Sequence, residues 1–301
     1  MISSTETTDI VLAGGYRRAL DFLELTKPRV VVMVLVTTLV GFYLGSESTA
    51  EYFLLLQTLV GTALAAGGTL ALNQFLERDA DALMERTRRR PLPEGRVQPA
   101  EALFFGVLVA FAGLVVLAFA VNLLSALVTL FITVTYLFAY TPLKQRSPLC
   151  GLVGAVPGAL PPVIGWTAAR GEFGLGAGVL FAILFLWQVP HTLAIARLYR
   201  EDFAKAGIRF LPVVEPNGGS TGRQIISYCF ALLAVSLLPT LLGTTGPAYF
   251  LAALLLGAGF LGCGIGLAAT QSASAARRLL FASLVYLPLL LVVMALDRIP
   301  L

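Results

Sequence analysis

Residues 73–96 read NQFLERDADALMERTRRRPLPEGR, and they begin where an apolar run that starts at Tyr52 gives out. Such a sudden change from apolar to charged marks the rim of a membrane. Read as a helix, Asn73, Glu77 and Asp81 stand at i, i+4 and i+8, which stacks them on one face a turn apart. Asp79 points away from that row. A wall of arginines follows, Arg86, Arg88, Arg89, Arg90 and then Arg96. The same i, i+4 spacing puts Arg86 and Arg90 on a common face and favours them over Arg88 and Arg89. A row of oxygen donors thus lies beside a group of anion-binding side chains. Hard divalent cations take oxygen ligands, and Mg²⁺ is usually held by one or two carboxylates together with substrate phosphates. The stretch predicts a site for Mg²⁺ and a diphosphate at a membrane surface, with Asn73, Glu77 and Asp81 as metal ligands.

The rest of the chain agrees with a membrane setting. Of its 301 residues 57% are hydrophobic and 13% charged, against about 25% charged in soluble domains. A spanning helix needs about 20 apolar residues. Apolar segments are expected at about Val30–Gly45, Tyr52–Leu76, Ala102–Val121, Leu123–Tyr140, Leu149–Trp166, Leu175–Ala196, Ile225–Leu242, Ala248–Thr270 and Leu279–Leu296. The fold expected is an all-α polytopic membrane protein of about nine transmembrane helices, a single domain over residues 1–301. Residues 1–27 form an N-terminal interfacial segment, in which Tyr16–Leu25 mixes charged with apolar side chains as a helix lying in the interface does. The first residues lack a basic stretch before an apolar core, so no cleavable signal peptide is expected. Cys150, Cys229 and Cys263 lie in apolar runs without metal or disulfide spacing. The net charge of +4 is modest, and no nucleic-acid partner is expected.

The distribution of that charge is more informative. The N-terminal segment and every second connection hold 19 of the 21 Lys and Arg residues, leaving only Arg170 and Arg298 for the other side. By the positive-inside rule the N-terminus is cytoplasmic, and an odd number of spans puts the C-terminus outside.

Other residues on the cation-rich side are candidates for chemistry. Tyr140-Thr-Pro-Leu-Lys144-Gln-Arg146 ends the fourth helix with two cations; it reads as an ordinary basic loop unless it faces the carboxylate row. His191, the single histidine, follows Trp187-Gln-Val-Pro190 near the end of the sixth helix. Asp202 lies about three helical turns further and shares the face of His191 if the helix continues, with Arg197 and Arg200 between. Thr26-Lys27-Pro28-Arg29 brings two more cations to the mouth of the first helix. In the fifth segment, Pro157, Pro161 and Pro162 rule out a regular helix; a kinked packing helix and a cavity wall are both open. Oxygen donors, cations and a lipid-depth cavity suit a substrate with a diphosphate head and a long apolar tail, a prenyl diphosphate.

These residues carry a resemblance. Asn73-x3-Glu77-Arg-Asp79-Ala-Asp81-Ala-x-Met84-x-Arg86-Thr87-x2-Arg90-Pro91-Leu92-Pro93 resembles the first signature of the UbiA-type intramembrane prenyltransferases. The central glutamate and the Arg-Thr-x2-Arg-Pro-Leu-Pro tail are similar to the haem-modifying branch of that family. Thr26-Lys27-Pro28-Arg29, the Tyr140–Arg146 stretch, Gly158-Ala-x-Pro161-Pro162, Trp187-Gln-x-Pro190-His191 and Asp202-Phe203-x3-Gly207-Ile208 agree in the same order. The last three helices carry no matching motif. The resemblance implies helices around a central cavity open toward the cytoplasmic side of the cell inner or plasma membrane. It implies farnesyl diphosphate and haem b as substrates, Mg²⁺ as cofactor, haem O as product, and haem A synthase or a haem-copper oxidase as the recipient. Asn73, Glu77 and Asp81 would hold the metal, and Arg86, Arg90, Lys144 and Arg146 the diphosphate. His191 would contact haem through its iron or a propionate, or assist water addition; Arg29, Arg197, Arg200 and Asp202 are further candidates for binding haem, the arginines through its propionates. Many members carry a second DxxxD row on the sixth helix. Here only the adjacent Glu201 and Asp202 occur, which puts a second metal in doubt and favours haem over a quinone precursor. A different aromatic acceptor or a chlorophyllide is the alternative within the family. A membrane transporter is the alternative outside it, disfavoured because the charge lies at one face.

Overall fold

The computed structural model describes residues 15, 17–47, 51–215 and 217–299. The very start of the N-terminal segment, including Tyr16, and the last two residues lie outside the described residues. Among the described residues nine helices are long and apolar enough to cross a bilayer: α1 (Pro28–Gly45), α2 (Tyr52–Ala82), α3 (Pro99–Val121), α4 (Leu123–Leu143), α5 (Cys150–Arg170), α6 (Leu175–Leu198), α7 (Gly219–Leu241), α8 (Pro247–Thr270) and α9 (Ala273–Leu296). The hydropathy pattern anticipates this number and order. It stops α2 at Leu76, however, whereas the helix runs on to Ala82. Charged residues end an apolar window without ending a helix, so the Asn73–Asp81 row stands on one continuous α2.

The exterior of the bundle is apolar. Phe104, Phe119, Phe138, Leu255 and Phe281 are exposed, as side chains facing lipid must be. With lipid outside, burial of apolar surface does not drive helices together; close backbone approach through small residues does. α1 and α5 meet in this way. A Cβ on Gly41 would lie 1.9 Å from the Pro162 carbonyl oxygen, and one on Gly165 would lie 1.9 Å from that of Thr38. The Thr38 hydroxyl donates to the Pro161 carbonyl at 3.1 Å between them. α2 and α3 pair likewise, with Gly68 against Ala110 and Gly113 against Ala65.

Three irregularities shape the interior. α5 is two half-helices, Cys150–Ala159 and Pro161–Arg170, joined at Leu160. Pro161 and Pro162 carry no N–H and so leave carbonyls of the preceding turn, those of residues 157 and 158, without helical partners. The end of α4 widens to a π-helical stretch, Thr135–Tyr140, a form frequent at functional sites. Residues 83–98 form successive turns rather than a helix.

The two cations on the sparse face are structural. Arg170 Nε donates to the Gly45 carbonyl at 3.0 Å and pairs with Glu47 at 3.1 Å. Arg298 donates to the carbonyls of Tyr43 and Ser46. Both cap the end of α1, where unpaired carbonyls attract positive charge. On the opposite, cation-rich face, Arg96 bonds Glu24, Asp21, Glu94 and the Arg89 carbonyl. It thereby fastens the helix over residues 17–25 to the α2–α3 connection.

Candidate active site

α2 presents Asn73, Glu77 and Asp81 inward at the cation-rich face, and each meets a different cation. Lys27 Nζ donates to Asn73 Oδ1 at 2.8 Å. Lys144 Nζ forms an ion pair with Glu77 Oε1 at 2.6 Å. Arg90 donates to Asp81 Oδ2 at 2.6 Å. Asn73 and Asp81 are fully buried, while Asp79 is exposed and turned away. Asn73 also donates to the Thr141 hydroxyl at 3.1 Å, so the Tyr140–Arg146 stretch does face the row.

Local backbone explains these placements. The π-helical end of α4 offsets Thr141, whose hydroxyl returns to the Tyr136 carbonyl at 2.8 Å. Lys27 has φ 51°, a left-handed conformation unfavourable for a side-chain-bearing residue and held only where its surroundings fix it. It turns the chain from the 17–25 helix into α1. Burial and the charge of Arg90 push the Lys27 amine down to about 7, although Glu77 pulls the other way. Lys144 moves upward: burial opposes its charge, but Tyr140 and Glu77 beside it outweigh that and keep it protonated. Lys27 is the residue that spacing arguments leave out of the site, although the Thr26–Arg29 motif contains it.

Arg86 and Arg90 both reach the cluster, but not because they share a helical face. α2 has ended by then, and the turns over residues 83–98 bring them in. The Thr87 hydroxyl fastens those turns to the Asp81 carbonyl at 2.8 Å. The Arg86 guanidinium lies over the Phe203 ring at 4.7 Å and the Tyr199 ring at 5.7 Å. Burial and Arg90 lower its pKa, while Asp81 and Asp202 act the other way. Arg88 pairs with Glu85 at the surface, and Arg146 is exposed.

A cavity of about 460 Å³ opens beneath this cluster, walled by α1, α2, α4, α5, α6 and α9. Its walls are mostly apolar, with Arg29, Tyr136, Tyr140, Gln188 and His191 among the polar exceptions. α5 therefore serves as a cavity wall as well as a packing helix. None of the three α2 oxygens lines this cavity. Glu77 and Lys144 instead line a second hollow of about 360 Å³ between α2 and α4.

His191 stacks on Trp187, ring centroids 4.7 Å apart and planes at 20°. Asp202 does not share its face: α6 stops at Leu198, Tyr199 leaves the helical region at φ −105° and ψ 27°, and Arg200–Lys205 is a separate short helix. Arg197 points elsewhere, donating to the Gln271 carbonyl at 2.6 Å, which ties α6 to the α8–α9 connection. Arg200 is partly buried in that short helix.

Comparison with known proteins agrees with this architecture. Residues 34–285 match the UbiA prenyltransferase family. The chain is similar to the "Protoheme IX farnesyltransferase" of Solibacter usitatus, with 49% identity over 92% of this chain and 98% of that protein. Its fold resembles a solved structure described as "Structural and mechanistic insights into the biosynthesis of Digeranylgeranylglyceryl phosphate synthase in membranes", with a TM-score of 0.79 at 16% identity over 95% of this chain and 100% of that one. It also resembles "a UbiA homolog from Archaeoglobus fulgidus bound to GPP and Mg2+", with a TM-score of 0.62 at 16% identity over 91% of this chain and 99% of that one. At such identities the solved structures speak for the fold alone; the family assignment rests on sequence. The chain belongs to the UbiA prenyltransferase family and is a membrane-embedded prenyltransferase.

Proposed function

We propose that the chain transfers a farnesyl group from farnesyl diphosphate to a vinyl group of haem b, with Mg²⁺ as cofactor, giving haem O and diphosphate. The observation that carries the donor half is one conjunction. Three oxygen-bearing side chains, each paired with its own cation, stand beside a largely apolar cavity of about 460 Å³. The acceptor half rests on relatives such as the Solibacter protein, whose name specifies protohaem and a farnesyl group.

The residues fit a magnesium ion. Asn73, Glu77 and Asp81 offer hard oxygens, and Glu77 holds a largely buried carboxylate whose Oε1 faces Lys144 at 2.6 Å. Among the described residues no three His, Cys, Asp or Glu side chains cluster as a metal cage. Two carboxylates and an amide leave positions for substrate phosphates and water, which is how Mg²⁺ is usually held. When bound, the ion neutralises charge that gathers on the departing diphosphate.

The chain's own cations do the same work. Lys27, Lys144 and Arg90 exchange their bonds to the α2 oxygens for bonds to phosphate, and Arg86 adds a further positive charge at the edge. Arg146, exposed at the surface, meets the incoming headgroup first. The C–O bond of the prenyl diphosphate breaks heterolytically, and the diphosphate keeps the electron pair. The allylic cation is attacked by the terminal vinyl carbon of haem. Water then adds to the other vinyl carbon and a proton leaves. Fixed positive groups aimed at the developing charge are the strongest contribution available, and apolar walls keep water away from the cation until it is captured. Arg29, at the cavity wall, binds a haem propionate. Arg200 and Asp202 stand at the same face without an assigned step, and Arg197 is engaged by Gln271. The N-terminus is cytoplasmic in the cell membrane, so both substrates are taken up from that side. Haem O passes to haem A synthase or a haem-copper oxidase.

The test is product formation. Membranes containing the protein, given farnesyl diphosphate, Mg²⁺ and haem, should yield a haem carrying one farnesyl group and one added water, read by mass. Unmodified haem, with the farnesyl group transferred instead to a hydroxybenzoate supplied in a parallel assay, would overturn the acceptor.

A further inference from the structure

Ser283 of α9 grips the Trp187–His191 pair of α6 at two points. Its hydroxyl oxygen meets His191 Nδ1 at 2.7 Å, and its carbonyl accepts from Trp187 Nε1 at 2.9 Å. Ser283 is fully buried, so water does not compete for either bond. The polarity of the first bond follows from proton counting. A serine hydroxyl has one hydrogen, and Ser283 spends it on the Leu280 carbonyl at 2.6 Å. With the hydroxyl hydrogen placed there, its oxygen is the acceptor toward His191 and the ring proton is assigned to Nδ1. In the neutral ring the lone pair then lies on Nε2. Among the described residues no hydrogen bond reaches Nε2, and His191 lines the large cavity. The Trp187 stack covers one face of the ring.

We propose that Ser283 is a positioning residue that fixes His191 in the Nδ1–H tautomer, so that Nε2 faces the cavity as a lone-pair ligand for the iron of the porphyrin acceptor. The inference rests on haem being that acceptor. A ring N–H held by a protein oxygen is the usual support of a metal-ligating histidine: it sets the tautomer, orients the ring and raises the basicity of the other nitrogen. Coordination forms no covalent bond to the prenyl chain and moves no electron. It fixes the depth and tilt of the porphyrin against the walls of α6 and α9. Nothing in the ninth apolar segment marks Ser283 in the sequence, because its role comes only from the packing of α9 on α6.

The experiment titrates purified wild type, Ser283→Ala and His191→Ala with ferric haem and, separately, with metal-free protoporphyrin IX. Ser283→Ala should lose about 10- to 100-fold in haem affinity, the range for removing the support of a metal ligand, His191→Ala should lose at least as much, and both should keep wild-type affinity for the metal-free ring. The iron–histidine stretching band of the ferrous complex should shift in Ser283→Ala and vanish in His191→Ala. Equal losses for haem and metal-free porphyrin would mean a merely structural role and overturn the proposal, as would wild-type haem affinity in Ser283→Ala. Haem O formation by the same wild-type preparation separates the two levels of the claim. If product forms but the losses are equal, only the role of Ser283 fails; if none forms, the acceptor reading falls and this assignment with it.

Discussion

Asp81→Asn should lower kcat by about 10²–10³, the loss that follows removal of one preorganised charge-stabilising group from an active site, while the protein still inserts and binds haem. The substitution keeps the size of the side chain and an oxygen able to accept from Arg90, which now lies 2.6 Å from Asp81 Oδ2. What it removes is one of two carboxylates on the inward face of α2. The excess of cations over carboxylates in the cluster grows, so the diphosphate itself still binds; its departure is no longer assisted by a properly held metal. Asp79→Asn is the internal control. Two residues away on the same helix, its side chain is 89% exposed, and the variant should turn over like wild type. Initial rates of prenyl transfer at saturating substrates check both. A fully active Asp81→Asn would remove that carboxylate from the mechanism.

The second large effect falls on the fold. Gly41→Ala and Gly165→Ala should each destabilise the protein by about 1–3 kcal/mol or more, as overpacking of a tight interior does, and reduce the folded fraction recovered in detergent. In both cases the added methyl would land 1.9 Å from a backbone carbonyl on the facing helix, so rotamer changes offer no relief. α1 and the second half of α5 would have to move apart. That opens the cavity wall and breaks the Thr38–Pro161 hydrogen bond. Gly178→Ala is the contrast: no atom lies within 4 Å of its added carbon, and a helical alanine is favoured over glycine by about 0.5–1 kcal/mol. Thermal melts of the detergent-solubilised variants should rank them accordingly. Unchanged melting of Gly41→Ala and Gly165→Ala would contradict the close approach of α1 and α5.

Much of this arrangement is legible in the sequence, for physical reasons. Lipid imposes a length of apolar chain on each span, so the nine spans among the described residues and their order follow from hydropathy. Cations avoid one face of a membrane, so Arg170 and Arg298 stand out as the exceptions. Helical spacing relates Asn73, Glu77 and Asp81, which holds because α2 stays regular to Ala82. The same rule applied to Arg86 and Arg90 names the right pair for the wrong reason, since turns rather than a helix carry them inward. It fails for His191 and Asp202, because α6 breaks at Tyr199 and no proline or glycine announces the break. Lys27 is hidden by its backbone: a left-handed residue before Pro28 sends its amine to Asn73, a direction no periodicity encodes. Ser283 is hidden differently, as a polar residue in an apolar helix whose partners come from another element. The cavity wall includes residues from either side of the Leu160 break in α5 and from the π-helical end of α4. Of these, only the prolines of α5 are visible in advance.

The most direct test of the central claim is equilibrium binding of farnesyl S-thiolodiphosphate, which resists cleavage, to wild type and Glu77→Gln with and without Mg²⁺. The wild type should bind more than about tenfold tighter with the ion, a difference of about 1.4 kcal/mol, and the dependence should collapse in Glu77→Gln. Equal affinity with and without Mg²⁺ in the wild type, or a full Mg²⁺ effect in the variant, would contradict a metal-diphosphate site on the inward face of α2.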